Sequence, residues 1–237
     1  MNVIVTGGSR GIGRAIAVRL AREGGQVVIN YLQNEAAAEE TAELIRAKGA
    51  APILVQGNVR SDSDLKRIGK SLDAVDVLVH NAAVGALKPH DKMRSAHWDL
   101  TLESSLKPFW HLTKLTNIVE GGSVIGVSSL GSRRYIPGYA AMGAAKAGME
   151  ALTRQLAVEL APQKIRVNTV CGGLVDTDAL QYFPEKRQMI LYAQRMTPFG
   201  RLGTPEDIAG VVDMLVSSDA GWVTGQTLVA DGGLSLI

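Results

Sequence analysis

A hydroxyl, a phenol and an ammonium group stand close together in the stretch Ser128-Ser129-Leu130-Gly131-Ser132-Arg133-Arg134-Tyr135-Ile136-Pro137-Gly138-Tyr139-Ala140-Ala141-Met142-Gly143-Ala144-Ala145-Lys146. Tyr139 lies seven residues before Lys146. On an α-helix an offset of seven, like one of four, returns to the same face. A phenol on that face can donate a hydrogen bond to an oxygen that takes on negative charge, and a nearby ammonium supports the anion. Ser129 adds a hydroxyl that either positions a reacting molecule or satisfies loop backbone. The plainer alternative is an amphipathic helix face with no chemistry.

A second constellation precedes it. Thr6-Gly7-Gly8-Ser9-Arg10-Gly11-Ile12-Gly13 follows the apolar run Asn2 to Val5 and opens a segment with helical spacing. Glycines there let the backbone turn tightly and approach a pyrophosphate, and a helix N-terminus offers unpaired N–H groups to the anion. Strand, glycine turn and helix in that order favour dinucleotide binding over a merely tight turn. Folds of this kind that prefer NAD place Asp or Glu at the end of the second strand, against the ribose 2′-OH. Asn30-Tyr31 stands there instead, and Arg10 inside the turn can pair with a 2′-phosphate, so NADP(H) is expected.

These groups need a frame. Seven short apolar runs read as strands: Val3 to Val5, Val27 to Ile29, Ile53 to Val55, Val75 to Val79, Ser123 to Val127, Ile165 to Val170 and Thr227 to Val229. β-Branched runs without alternation imply strands buried on both faces, joined in parallel by right-handed helical crossovers. The expected fold is an α/β doubly wound sheet of seven parallel strands with helices on both faces. The first helix is expected over Gly11 to Glu23, ended by Gly24-Gly25. No repeat or linker divides the chain, so residues 1–237 are read as one domain. The segment 178–204, with Tyr182, Phe183, Tyr192 and Phe199, is read either as a substrate lid or as an ordinary core-covering or subunit-contact element.

Composition excludes several classes. Twenty-five basic and 23 acidic residues give a formal charge of +2 without a long basic run, so no nucleic-acid or membrane partner is expected. The start of the chain shows no signal segment, and no run is long and apolar enough to span a bilayer. Cys171, the single cysteine, excludes an internal disulfide and fits a reducing, cytoplasmic setting. It reads as a small buried residue. His80, His90, His97 and His111 have no metal-ligand spacing, and no metal is expected.

The spacing Gly7, Gly11, Gly13 resembles the TGxxxGxG turn of the short-chain dehydrogenase/reductase family. Asn81-Ala82-Ala83, preceded by His80, resembles its NNAG, and Gly225-Gln226 with Asp231-Gly232-Gly233 resembles its C-terminal signature. The likeness runs along essentially the whole chain. It implies a cofactor site drawn from Gly7, Ser9, Arg10, Gly11, Ile12, Gly13, Asn30, Tyr31, Asn58, Val59, Asn81, Ala82, Ala83, Lys146, Gly173, Val175 and Thr177. Asn58 also fits a loop cap.

Two departures sharpen the resemblance. Most of the family carries tyrosine four residues before the lysine, where this chain has Met142; and Gly172-Gly173-Leu174-Val175 stands where carbonyl-reducing members have Pro-Gly. Both resemble the NADPH-dependent third type of enoyl-acyl-carrier-protein reductase. In that resemblance Tyr139 donates to a developing enolate oxygen, Lys146 binds the nicotinamide ribose, and Ser129 positions substrate. Carbonyl reduction needs its acid beside the carbon that receives hydride. In an enoyl thioester the charge develops further along the conjugated system, which suits a hydroxyl moved by a helical turn.

Ser105 replaces the family's helix-borne Asn, which puts the usual proton relay in question. Arg133 and Arg134 are candidates to receive an acidic acyl carrier protein or a phosphopantetheine phosphate, or are simply solvated. The resemblance implies a homotetramer. The leading expectation is reduction of a trans-2-enoyl thioester on acyl carrier protein or CoA. A ketone, imine, 3-oxoacyl or secondary-metabolite substrate is the alternative within the class, and a catalytically silent NADP(H)-binding subunit the alternative outside it.

Overall fold

The computed structural model describes residues 1–183 and 186–237. Seven parallel strands form one sheet in the order β3-β2-β1-β4-β5-β6-β7. They are β1 (Asn2–Val5), β2 (Gln26–Tyr31), β3 (Ala51–Gln56), β4 (Val75–His80), β5 (Ile118–Ser129), β6 (Arg166–Gly172) and β7 (Thr227–Ala230). Val3, Ile4, Val5, Val27, Val28, Ile29, Leu78 and Val79 are fully buried, which is why these runs show no polar alternation. Successive residues feed opposite faces. Val3, Val5, Val27 and Ile29 enter one apolar cluster, while Ile4, Val28 and Leu78 enter the other.

Helices cover both faces. α1 (Gly11–Leu20), α2 (Glu35–Arg46) and α8 (Pro205–Val216) pack Ile16, Leu20, Ile45, Ile208 and Val212 into the first cluster. α3 (Asp62–Gly69), α5 (Lys107–Leu115) and α6 (Ala140–Glu159) pack Leu65, Ile68, Phe109, Leu112 and Met149 into the second. α4 (Ser95–Ser105) leads into α5 through a break at Leu106, and α7 (Lys186–Met196) follows a short helical turn at Asp178–Tyr182. The strand order reverses between β1 and β4, which places a crevice at their carboxyl ends.

Two boundaries differ from expectation. α1 ends at Leu20 rather than Glu23, because Ala21 turns extended (ψ 125°) and buries its methyl in the first cluster. β5 begins at Ile118, five residues before the apolar run, because Ile118 pairs with Val75 ahead of a register shift. Among the described residues no helix is long and apolar enough to cross a membrane.

Candidate active site

The crevice is built from the ends of β1 and β4. Thr6 is fully buried, and its Oγ1 accepts the N–H groups of Asn81 and Ala82 at 3.1 and 3.0 Å. With its acceptor sites filled, the hydroxyl proton is directed at Nδ1 of His80, 3.3 Å away. The Asn81 amide donates to the carbonyls of Thr6 and Gly7, both at 3.1 Å. Asn81 therefore stitches the glycine turn to β4.

Inside the turn, Gly7 and Gly11 adopt φ of 62° and 55°, which glycine alone accepts readily. Gly13 faces a different restriction: a Cβ there would lie 2.1 Å from the Gly7 carbonyl oxygen and 2.5 Å from Asn81 Nδ2. Helix and turn can approach this closely only without a side chain. Arg10 is extended at the N-cap of α1 and exposed, and its side chain caps no amide of the first turn. A cradle lined by backbone, opening on uncapped helix amides, fits a pyrophosphate. Thr177 borders it, its Cγ2 3.5 Å from where a Gly11 Cβ would stand.

Behind the cradle, Arg14 donates to the Ser9 carbonyl through Nε (3.1 Å) and Nη2 (2.9 Å), and pairs with Glu40 at 2.9 Å. Ser9 is thereby fixed and mostly buried. Thr6 and Arg14 are supports that sequence reasoning missed. A buried polar residue next to a glycine turn was the available signal for Thr6.

Several residues expected at the cofactor site also serve the framework. Asn30 is 2% exposed, and its amide donates to the carbonyls of Val55 (3.2 Å) and Gly57 (3.0 Å). Tyr31 and Val59 lie in the two apolar clusters, and Val175 in the first. Asn58 is the loop cap: its side chain accepts from Arg60 N–H at 3.0 Å. Gly173 answers a packing demand, since its Cβ would lie 2.8 Å from that of Asp231. Ile12 and Ala82 are half-buried against the clusters, and Ala83 is exposed at the crevice. β2 ends on Asn30-Tyr31 and is followed by Leu32-Gln33-Asn34, so no carboxylate stands at its end.

The second constellation sits where β5 gives way to α6. Lys146 is 5% exposed and donates to the Val127 carbonyl at 2.7 Å. Burial lowers its pKa to about 8, opposed by the nearby Cys171. Tyr139 caps α6 instead of lying within it, and its carbonyl accepts the Gly143 N–H at 2.6 Å. Burial pushes its phenol above the ordinary tyrosine range, and the nearby Ser129 side chain offsets part of that rise. Its ring stacks on Phe183 with centroids 6.2 Å apart. Gly131 backs the ring so closely that a Cβ there would lie 2.3 Å from Tyr139 Cδ1. Tyr139 lies near Ser129, and Lys146 is tied to Val127 on the same strand.

Around them, Met142 is buried against the loop after β4, and a Cβ on Gly85 would lie 2.4 Å from its Cε. Ser105 is buried and donates to the Val84 carbonyl at 3.1 Å, so its hydroxyl is occupied by that same loop. His80 is fully buried, which lowers its pKa to about 3, with Lys146 adding to the effect. Its Nε2 has no hydrogen-bond partner among the described residues. Cys171 is buried at the end of β6, and burial, with Glu150 nearby, pushes its thiol up to about 11.

The two arginines also have partners within the chain. Arg133 is paired with buried Glu150 at 3.0 Å, and Arg134 donates to the carbonyls of Leu234 (2.6 Å) and Ile237 (2.7 Å). Both arginines make internal contacts and both remain exposed. Of the lid aromatics, Phe183 reaches Tyr139 while Tyr192 and Phe199 are exposed. The Tyr182 side chain and residues 184–185 lie outside the described residues. Among the described residues no three His, Cys, Asp or Glu side chains are grouped to hold a metal.

A family model described as "Enoyl-(Acyl carrier protein) reductase" matches residues 7–235, nearly the whole chain. The chain belongs to the short-chain dehydrogenase/reductase family. It is 37% identical over 244 residues to the 1-cyclohexenylcarbonyl-CoA reductase of Streptomyces collinus, covering 99% of this chain and 86% of that protein. It is 35% identical over 243 residues to the 3-oxoacyl-acyl-carrier-protein reductase FabG of Staphylococcus epidermidis, covering 98% of each. Among solved structures, the angucycline C-6 ketoreductase LanV with bound NADP superposes with a TM-score of 0.91 at 31% identity, covering 100% of this chain and 96% of that one. As a short-chain dehydrogenase/reductase the protein is an oxidoreductase that uses a nicotinamide cofactor, and the cradle of Gly7, Gly11 and Gly13 suits one.

Proposed function

We propose that the protein reduces trans-2-enoyl thioesters, carried on acyl carrier protein or CoA, with NADPH. The observation that carries this reading is the placing of Tyr139 at the cap of α6, its ring against Gly131, while buried Met142, at the family's usual tyrosine position, has no proton to donate. The Streptomyces relative supports it, because its name describes an α,β-unsaturated acyl-CoA. NADPH, when bound, supplies the hydride. Gly7, Ser9, Gly11 and Gly13 would hold its pyrophosphate at the start of α1, with Thr177 beside them, and exposed Arg10 would pair with a 2′-phosphate.

Negative charge in this reduction gathers on the thioester oxygen. The Tyr139 hydroxyl donates to that oxygen, and Ser129 orients the phenol. Lys146, charged below its lowered pKa, supports the anion and binds the nicotinamide ribose. A phenol whose pKa is raised stays protonated through neutral pH and remains a donor. Phe183, stacked on Tyr139, supports reading the segment 178–204 as a lid that excludes water. We place the enzyme in the cytoplasm as a homotetramer of single-domain subunits.

Cofactor oxidation is measured with crotonyl and acetoacetyl thioesters in parallel. The reading expects turnover of the enoyl substrate and a loss of roughly 10²-fold in kcat for Tyr139→Phe, with near-normal NADPH binding. Reduction of the 3-oxo substrate alone would establish the second reading, a carbonyl reductase, which the likeness to the Staphylococcus enzyme favours. Cofactor binding without turnover of any thioester would mark a silent subunit.

A further inference from the structure

We propose that Glu150 is a positioning residue, whose buried carboxylate holds the segment between β5 and α6 in the one shape that lets Ser129 and Tyr139 meet. Glu150 lies one helical turn beyond Lys146 on α6 and is 6% exposed. Its Oε1 accepts the hydroxyls of Ser128 at 2.7 Å and Ser132 at 2.6 Å, and its Oε2 accepts Arg133 Nε at 3.0 Å. Those donors bracket Ser129. Ser128 precedes it on β5, opposite Cys171 of β6, and Ser132 closes the helical turn that follows it.

The arrangement needs a carboxylate. Both serine hydroxyls point their single protons at one oxygen, which a charged acceptor with free lone pairs tolerates. Ser132 has another acceptor within reach, the Ser129 carbonyl at 2.8 Å. Without a negative charge to hold it, that hydroxyl turns to the backbone, and the segment loses its tie to α6. The same segment includes Gly131, against which the Tyr139 ring rests. The Glu150 carboxylate bonds to Ser128, Ser132 and Arg133, so its effect reaches Tyr139 through Ser129.

This inference rests on the role given to Tyr139 but not on the proposed substrate, and the test uses whichever thioester, enoyl or 3-oxo, the wild type reduces. Glu150→Gln keeps the size and removes the charge. The expected result is a fall in kcat of about 10- to 100-fold, with the NADPH dissociation constant within about twofold. Glu159→Gln, an exposed carboxylate at the end of the same helix, should match wild type. In a double-mutant cycle, Glu150→Gln should cost no more than about twofold in a Ser129→Ala background, because the residue it positions is gone. Independent, multiplying losses would overturn the proposal, as would full kcat in Glu150→Gln. Should that variant fail to fold, Ser132→Ala replaces it in the cycle with Ser129→Ala. A loss that vanishes in the Ser129→Ala background then supports the proposal, and one that multiplies, or no loss at all, overturns it. An unaffected Glu150→Gln beside an inactive Tyr139→Phe refutes this inference alone, whereas turnover of neither thioester by wild type refutes it together with the role of Tyr139.

Discussion

Replacing Gly131 with alanine should damage chemistry without touching any polar group of the site. Gly131 has no positive φ, so its backbone accepts alanine. The added Cβ would lie 2.3 and 2.4 Å from Cδ1 and Cε1 of Tyr139, where carbon atoms ordinarily rest about 3.5 to 4 Å apart. The ring must therefore yield by roughly 1 Å or more, and Phe183 is stacked on it. Overpacking of this kind costs about 1 to 3 kcal/mol of stability, and a displacement near 1 Å of a reacting group about 10²-fold in rate. Gly131→Ala should thus lower kcat by about 10- to 100-fold and lower the urea midpoint modestly, while NADPH titration by fluorescence stays near wild type. Gly210→Ala is the control, because nothing lies within 4 Å of its Cβ and the residue is helical. Wild-type kcat in a folded Gly131→Ala enzyme would show that the seat of the Tyr139 ring does not govern the reaction.

Arg10→Ala should cost roughly 1.5 to 3 kcal/mol of NADPH affinity and spare NADH, read from dissociation constants for the two cofactors; equal losses would remove the 2′-phosphate contact. Lys146 is charged only below its lowered pKa, so kcat/KM should fall as pH rises through about 8, and a profile flat to pH ~10 would contradict the role given to its charge. His80 stays neutral in the folded protein down to about pH 3, while in the unfolded chain it gains a proton below about pH 6.5. Stability is therefore lost as pH falls through that window, by about 2 kcal/mol between pH 7 and pH 5, and urea midpoints for His80→Asn should be less acid-sensitive by that amount. Met142→Tyr restores the four-residue spacing at some cost in packing under Gly85, and should introduce measurable reduction of a 3-oxoacyl thioester where wild type shows little.

The sheet was legible because strands buried on both faces leave an unbroken β-branched signature, and all seven runs became strands. What extended them was tertiary. No local preference would carry β5 back through Glu120-Gly121-Gly122 to Ile118; pairing with β4 does so. The glycine turn was equally plain, since backbone demands at Gly7 and Gly13 limit which residue can stand there. Polar residues were harder. Asn30 at a strand end looked free to meet a ribose, yet the neighbouring β3 backbone uses its amide. Arg133 and Arg134 looked like surface charge because their partners lie 17 and 100 or more residues away. Glu150 was silent for the same reason: nothing in a helical sequence announces that two serines from a preceding strand and turn will point at it.

The departures from the family pattern share a location. Met142 packs under Gly85, and Ser105 donates to Val84, so both secure the loop that follows β4. His80, at the end of β4, is buried and neutral and receives its contact from Thr6 of the glycine turn. Met142 has no proton to donate, and the Ser105 hydroxyl is already committed to the Val84 carbonyl. On that wall the side chains hold structure. In the proposed reduction the donor is Tyr139, one turn earlier at the cap of α6, and Glu150 gathers three donors to fix the preceding backbone that carries Ser129. A phenol at a helix cap is less constrained by its own backbone than one inside a helix, because fewer intrahelical bonds set its position. Moving the tyrosine out to the cap of α6 therefore creates a need for an external tie, and the buried carboxylate one turn beyond Lys146 supplies it.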